Sequence, residues 1–236
     1  MSRLTAIIRG GLRRIGGTIH RLGTPPAATP NLTGDRELEW SWVAARIGRG
    51  PGAVLDFGCG PESVLGLTAA RLGYQVTAID LRPIRWSHHY PGLRFMQQDL
   101  LRPRFEPSNF DVIINCSTIE HVGLSGRYGS ADRPDGDLEA MAVLRRLLKP
   151  AGFMVMTIPV GRDAVFAPFH RIYGTGRLPL LLKGWRIDCG EFWIKNGDNR
   201  WVQTDEARAL NEAGSAAYYG LGLFVLRRGP DGPPLS

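Results

Sequence analysis

The residues best suited to chemistry begin with Asp56-Phe57-Gly58-Cys59-Gly60-Pro61, a carboxylate followed by two closely spaced glycines. Gly58 and Gly60 allow the backbone to bend tightly and to approach a ligand with no Cβ in the way. A loop that cradles a dinucleotide pyrophosphate reads G-x-G-x-x-G. Here Ser63 stands at the last glycine position and Asp56 precedes the first. A carboxylate opposes a pyrophosphate and suits a cation, which argues against a nicotinamide-dependent dehydrogenase. Twenty-four residues after Asp56 comes Asp80, where a carboxylate can accept both hydroxyls of a ribose. Asp99 follows, placed to bind the amino group of an adenine.

A second group holds the candidates for acid–base work. Ser117-Thr118-Ile119-Glu120-His121 is followed by Arg127-Tyr128, Asp137 and His170-Arg171-Ile172-Tyr173. An imidazole titrates near neutral pH, so His121 is the first candidate base for activating a hydroxyl and His170 the second. Glu120 and Asp137 are suited to orient an imidazole or a substrate hydroxyl. Arg127, Tyr128, Asp137, Arg171 and Tyr173 are expected to line an acceptor pocket. Each has a plainer alternative: Glu120-His121 bracing a pocket wall, His170-Arg171 fixing a lid, arginine and tyrosine on ordinary surface. Cys59 and Cys116 read as packing residues, and His88-His89 as solvated. No spacing among Glu120, His121 and Asp137 demands a metal, and none is expected.

These residues sit at predictable places in an alternating chain. Short apolar runs at 53–57, 75–80, 93–98, 110–116 and 153–159 read as strands, with helical stretches at about 62–72 and 137–148. Lys149-Pro150-Ala151-Gly152 reads as the stop of the second helix. Such alternation predicts a doubly wound, Rossmann-like α/β sheet, in which ligands bind beyond the carboxyl ends of the strands. That rule selects the residues just after 57, 79, 98, 116 and 158, and so adds Ser117 to the cofactor set.

The chain has 236 residues, 29 basic against 22 acidic, for a formal charge of +7. The excess is lopsided. Residues 1–23 hold Arg3, Arg9, Arg13, Arg14 and Arg21 and no acid, leaving 24 bases against 22 acids elsewhere. A near-neutral body demotes RNA as a partner. Within 1–23, Leu4, Ile7, Ile8, Leu12, Ile15, Ile19 and Leu22 fall in an arc of roughly 140° at helical spacing. This predicts a basic amphipathic helix that lies on an anionic membrane, on a partner or on the protein's own body. Residues 24–35 read as a linker, 36–228 as the main domain and 229–236 as a flexible tail. No secretory signal is recognised, and three cysteines without metal spacing fit a reduced, cytoplasmic protein, with peripheral contact to the membrane's inner face through residues 1–23.

Taken in order, Val54-Leu55-Asp56-Phe57-Gly58-Cys59-Gly60-Pro61, Asp80 and Asp99 resemble the class I S-adenosylmethionine-dependent methyltransferases, over about residues 50–160. The resemblance implies S-adenosyl-L-methionine as cofactor and a seven-stranded sheet whose last strand, at 220–227, runs antiparallel beside a strand at 185–193. The segments after strands four and five resemble a little-characterised methyltransferase-like family associated with bacterial surface-polysaccharide and sugar modification. Ser130-Ala131-Asp132 departs from that family, which tends to place an acid directly after Gly129. There is no N/D-P-P-[YF] segment and no Pro-Cys nucleophile after strand four, so a DNA base is not the expected acceptor. The implied function is O-methylation of a sugar, glycolipid or small hydroxylated metabolite. The alternatives are a non-catalytic binding module, docked at a membrane or on a glycosyltransferase, and an RNA methyltransferase.

Overall fold

The computed structural model describes residues 29–129 and 131–229. The amphipathic pattern of 1–23 and nearly all of the expected tail lie outside the described residues.

Helix α1 (Asp35–Ile47) opens with Asp35 and Glu37 in its first turn and closes with Arg46 in its last, each favourable to the helix dipole. Its buried residues Glu39, Trp42, Val43 and Ile47 recur at helical spacing along one face. Strand β1 (Ala53–Phe57), helix α2 (Val64–Arg71), β2 (Gln75–Asp80), β3 (Leu93–Gln97) and β4 (Phe110–Cys116) follow. After β4 comes a single 3₁₀ turn at Ile119–His121, then α3 (Gly136–Leu147) and β5 (Leu148–Val160). A hairpin, β6 (Ala164–Phe166) and β7 (His170–Ile172), precedes α4 (Arg177–Leu181), β8 (Trp185–Lys195), β9 (Trp201–Thr204), α5 (Glu206–Leu210) and β10 (Gly220–Arg228).

The main sheet runs β3-β2-β1-β4-β5-β10-β8-β9. β1 pairs in parallel with β2 and β4, as do β2 with β3 and β4 with β5. β10 inserts antiparallel between β5 and β8, as expected for the final strand. Both faces are covered. Val54, Val76, Val112, Ile114 and Val155 pack under α1 and α2, while Leu55, Ile79, Ile113, Met154 and Met156 pack under α3 and α4. Adjacent residues of one strand thus belong to opposite cores, which is why β4 reads as a continuous apolar run.

Two expectations need correction. The sheet has eight strands, not seven. After β8, Asn196 Oδ1 accepts from the backbone N–H groups of Asp198 and Arg200, each at 3.0 Å, and this turn folds β9 back onto β8. The second correction concerns Lys149-Pro150-Ala151-Gly152. These residues do not separate helix from strand, because α3 ends at Leu147 and Leu148 is already extended, at φ −73 and ψ 134. The irregularity appears as a register shift between Phe110 and Val112 on β4, opposite Leu148 and Phe153. Among the described residues, no helix is long and apolar enough to cross a membrane.

Candidate active site

The carboxyl ends of β1, β2, β3 and β4 open into a cleft formed by two adjoining cavities of about 300 Å³ and 230 Å³. They share Arg36, Phe57, Gly58, Arg82, Ser117 and Tyr128 as walls. The larger surrounds the glycine bend from Asp56 to Ser63. The smaller lies between Asp80, Asp99, Thr118 and His121.

Gly58 makes the bend for two separate reasons. Its φ is +72, and a Cβ there would run into the side chain of Thr118. Its N–H donates to the carbonyl of Ile79 at 2.8 Å, which ties the loop after β1 to the end of β2. Gly60, at φ +63, points its N–H at Asp80 Oδ2, 3.4 Å away. Asp56 is buried beneath, with Ser63 Oγ 3.4 Å from its Oδ2, and burial pushes its carboxyl up to about 7. Asp80 is also buried, and Arg82 binds both of its oxygens through Nε and Nη2, each at 3.1 Å. Asp99 lies two residues past β3 in the wall of the smaller cavity, its Oδ1 accepting from Leu101 N–H at 2.9 Å. The six residues expected to hold a cofactor, Asp56, Gly58, Gly60, Asp80, Asp99 and Ser117, therefore all line the cleft.

Helix α1 supplies a part of the site that the sequence reading did not assign. Arg36 lines both cavities and Trp40 the larger one. Glu39 is fully buried below them. Its Oε2 accepts from Arg36 Nη1 at 2.8 Å, and its Oε1 from Thr157 Oγ1 at 2.7 Å and from Ser117 Oγ. Burial raises the Glu39 carboxyl above its ordinary range. The available signal was an acid at position 39 in line with Trp42, Val43 and Ile47, on a face that packing would bury.

The 3₁₀ turn after β4 carries Glu120 and His121. His121 Nδ1 is 2.5 Å from the carbonyl oxygen of Phe169, on the turn of the β6–β7 hairpin. A carbonyl only accepts, so Nδ1 holds the proton and Nε2 keeps its lone pair. Burial pushes the imidazole down to about 4, leaving it neutral at pH 7. Glu120 Oε1 lies 3.7 Å from that Nε2, and Oε2 is buried with no hydrogen-bond partner. Burial pushes this carboxyl up to about 8, so it is chiefly protonated at neutral pH. The Tyr128 ring meets His121 edge-on at 4.9 Å between centroids.

The remaining expected residues do not converge on the cleft. His170 is buried on β7, its Nε2 3.3 Å from the carbonyl of Ser215 and its ring against Tyr219 at 4.9 Å. It lines neither cavity. Arg171, Asp137 and Tyr173, expected as acceptor contacts, form a buried brace instead. Arg171, 2% exposed, donates to the carbonyls of Val122 at 2.6 Å, Pro134 at 3.2 Å, Arg133 at 3.3 Å and Glu120 at 3.4 Å. Asp137 accepts from Arg177 Nη2 at 2.6 Å and from Tyr173 Oη at 3.1 Å. The brace holds both ends of the loop at 120–134 that carries His121 and Tyr128. Arg127 lies outside on that loop, exposed. Among the described residues, no group of three or more potential metal ligands occurs.

A family model described as a Caenorhabditis protein of unknown function, DUF268, matches residues 103–207. The chain is 32% identical over 181 residues to a ubiquinone biosynthesis O-methyltransferase of Xanthomonas campestris, covering 73% of this chain and 70% of that protein. It is 28% identical over 147 residues to a probable S-adenosylmethionine-dependent methyltransferase, Rv3030, of Mycobacterium tuberculosis, covering 58% of this chain and 47% of that protein. Similar folds include the N-methyltransferase NodS of Bradyrhizobium japonicum bound to S-adenosylhomocysteine, at TM-score 0.53 and 16% identity, covering 84% of this chain and 87% of that one. Another is the 1,6-didemethyltoxoflavin-N1-methyltransferase of Burkholderia thailandensis, also bound to S-adenosylhomocysteine, at TM-score 0.52 and 17% identity, covering 81% of this chain and 77% of that one. The chain belongs to the S-adenosylmethionine-dependent methyltransferases of the class I fold. Its cofactor is S-adenosyl-L-methionine. The cleft suits that molecule: a glycine bend with no room for a Cβ, and carboxylates at the end of β2 and just past β3.

Proposed function

We propose that the chain methylates an oxygen of a small hydroxylated molecule, with His121 Nε2 as the base that takes the hydroxyl proton. The observation that carries this reading is the fixed tautomer of His121, a neutral imidazole in the cleft wall whose Nδ1 is committed to Phe169. The Xanthomonas relative, named for O-methylation, supports the choice of oxygen. When bound, S-adenosyl-L-methionine supplies a methyl group on a sulfonium sulfur. In this reading the bend at Gly58 and Gly60, with Asp56 beneath and Ser117 opposite, receives its aminoacyl end. Asp80 accepts the ribose hydroxyls and Asp99 the adenine amino group. The carbonyl of Phe169 orients the imidazole, and Glu120, protonated at neutral pH, is assigned to the buried wall beside it rather than to the base. His170, turned toward Ser215, is assigned to packing.

A sugar or glycolipid acceptor is a narrower proposal, carried by the family resemblance after β4 and β5 alone. Contact of residues 1–23 with an anionic membrane is another, tested by vesicle co-sedimentation with and without them.

Labelled-methyl transfer into a fractionated cell extract tests the function and shows which fraction is methylated. His121→Ala should lower the rate roughly 10²–10⁴-fold with unchanged affinity for S-adenosylhomocysteine, and His170→Ala should leave it near wild type. Equal losses in both variants, or lost cofactor affinity in His121→Ala, would return His121 to the pocket wall.

A further inference from the structure

Helix α1 is secured unevenly along its length. Its second half packs Trp42, Val43 and Ile47 into the core, and Arg46 Nη2 reaches Glu191 Oε1 on β8 at 2.6 Å. Its first turn carries Arg36 to both cavities of the cleft. That turn opens at Gly34, which stands at φ +86 and has no side chain to cap it. The start of a helix frays unless something holds it.

What holds it comes from β8, β9 and the turn between them. The carbonyl of Thr33 accepts from Lys195 Nζ at 2.6 Å and from Trp201 Nε1 at 3.1 Å. The same ammonium donates to the carbonyl of Asn199 at 3.0 Å, and Asn199 Oδ1 accepts from the N–H of Asn31 at 3.1 Å. The Trp201 ring lies beside Gly34, where an added Cβ would stand 3.5 Å from Cδ1. Leu32, Leu38, Trp193 and Trp201 pack against one apolar cluster. Lys195 itself is 7% exposed. Burying an ammonium is costly unless its donors are used. Here two of them are bound to carbonyls, and Asp35 lies near enough to favour the charge. β9 is the strand beyond the seven that the family resemblance implies, and neither Lys195 nor any residue of β9 lines a cavity of the cleft.

We propose that Lys195 and Trp201 are positioning residues for cofactor binding. By holding Thr33 they seat the first turn of α1, and that turn keeps Arg36 in the wall of the cleft. This rests on the reading of the cleft as the S-adenosyl-L-methionine site, and it gives the eighth strand a part in loading that site from a distance.

Calorimetry with S-adenosylhomocysteine on the full chain tests it. Lys195→Met keeps the bulk of the side chain and removes the ammonium, and Trp201→Phe keeps a ring and removes the Nε1 donor. Each should bind about five- to tenfold more weakly than the wild type. Arg36→Gln should also bind more weakly, and in that background either substitution should cost less than about twofold, because the residue that they position is gone. Val202→Ala is the control for a generally weakened hairpin, since Val202 packs toward the opposite core. It should lower the Tm and leave the affinity unchanged. Circular dichroism at the assay temperature shows which variants are folded, and Trp201→Phe, the milder change, decides the matter alone should Lys195→Met unfold. Wild-type affinity in Trp201→Phe or in Arg36→Gln, a loss that persists in full in the Arg36→Gln background, or an equal loss in Val202→Ala would overturn the proposal. If the wild type fails to bind S-adenosylhomocysteine, the reading of the cleft falls and takes this inference with it. If the wild type binds and the variants bind equally well, this inference alone falls.

Discussion

Replacing Glu120 by glutamine should make the protein more stable at alkaline pH and change little at pH 5. The wild-type carboxyl is 1% exposed, has an oxygen with no hydrogen-bond partner, and holds its proton up to about pH 8. In the unfolded chain the same group ionises near 4.5. Between those values the native state binds more protons than the unfolded state, so stability falls as pH rises through this window. Each unit of separation corresponds to about 1.4 kcal/mol, which gives a loss of roughly 3–5 kcal/mol by pH 8. Glutamine has nearly the same shape and no charge to bury, so its variant should escape that loss. Urea unfolding of both proteins at pH 5, 6, 7 and 8 gives the comparison directly. Because all other groups are shared, the difference between the two curves isolates position 120. Parallel curves across the window would refute the argument and return Glu120 to an ionised state.

The remaining predictions concern the same loop. His121 titrates in the opposite sense: the unfolded chain binds a proton near 6.5 and the native state only near 4, so stability should fall by roughly 3 kcal/mol as pH drops through that interval. His121→Gln should flatten this acid limb, read by the same unfolding series. Arg171→Leu should destabilise the fold by roughly 3–5 kcal/mol, since it strips four carbonyls and the Asp137 ion pair of a buried cation. Thermal unfolding checks this, and a shift within a degree or two would mean that solvent replaces the brace.

Much of the frame was legible because it depends on local rules. Short apolar runs placed β1, β2 and β4, the family resemblance implied the antiparallel β10, and the glycine spacing at 58 and 60 marked the bend. Asp80 and Asp99 could be read because strand ends determine which residues face the cleft. The limits were equally physical. His170, Arg171 and Tyr173 carry groups suited to catalysis, but the β6–β7 hairpin packs them inward, and nothing local in the sequence distinguishes a buried brace from a substrate clamp. Arg36 and Trp40 reach the cleft, and Glu39 lies beneath it, only because α1 folds over the ends of β4 and β5, a contact across 78 positions between Glu39 and Ser117. β9 went unassigned because four residues after a polar turn give too short an alternation to stand out.

Cofactor binding at the glycine bend is the central claim, and calorimetry with S-adenosylhomocysteine on the wild type and Gly58→Ala tests it most directly. The wild type should bind one equivalent. Gly58→Ala should stay folded but lose affinity, because a methyl group at φ +72 costs about 1–2 kcal/mol and drives Thr118 from its place in the cleft wall. A wild type that does not bind, or a folded variant that binds equally well, would contradict the account.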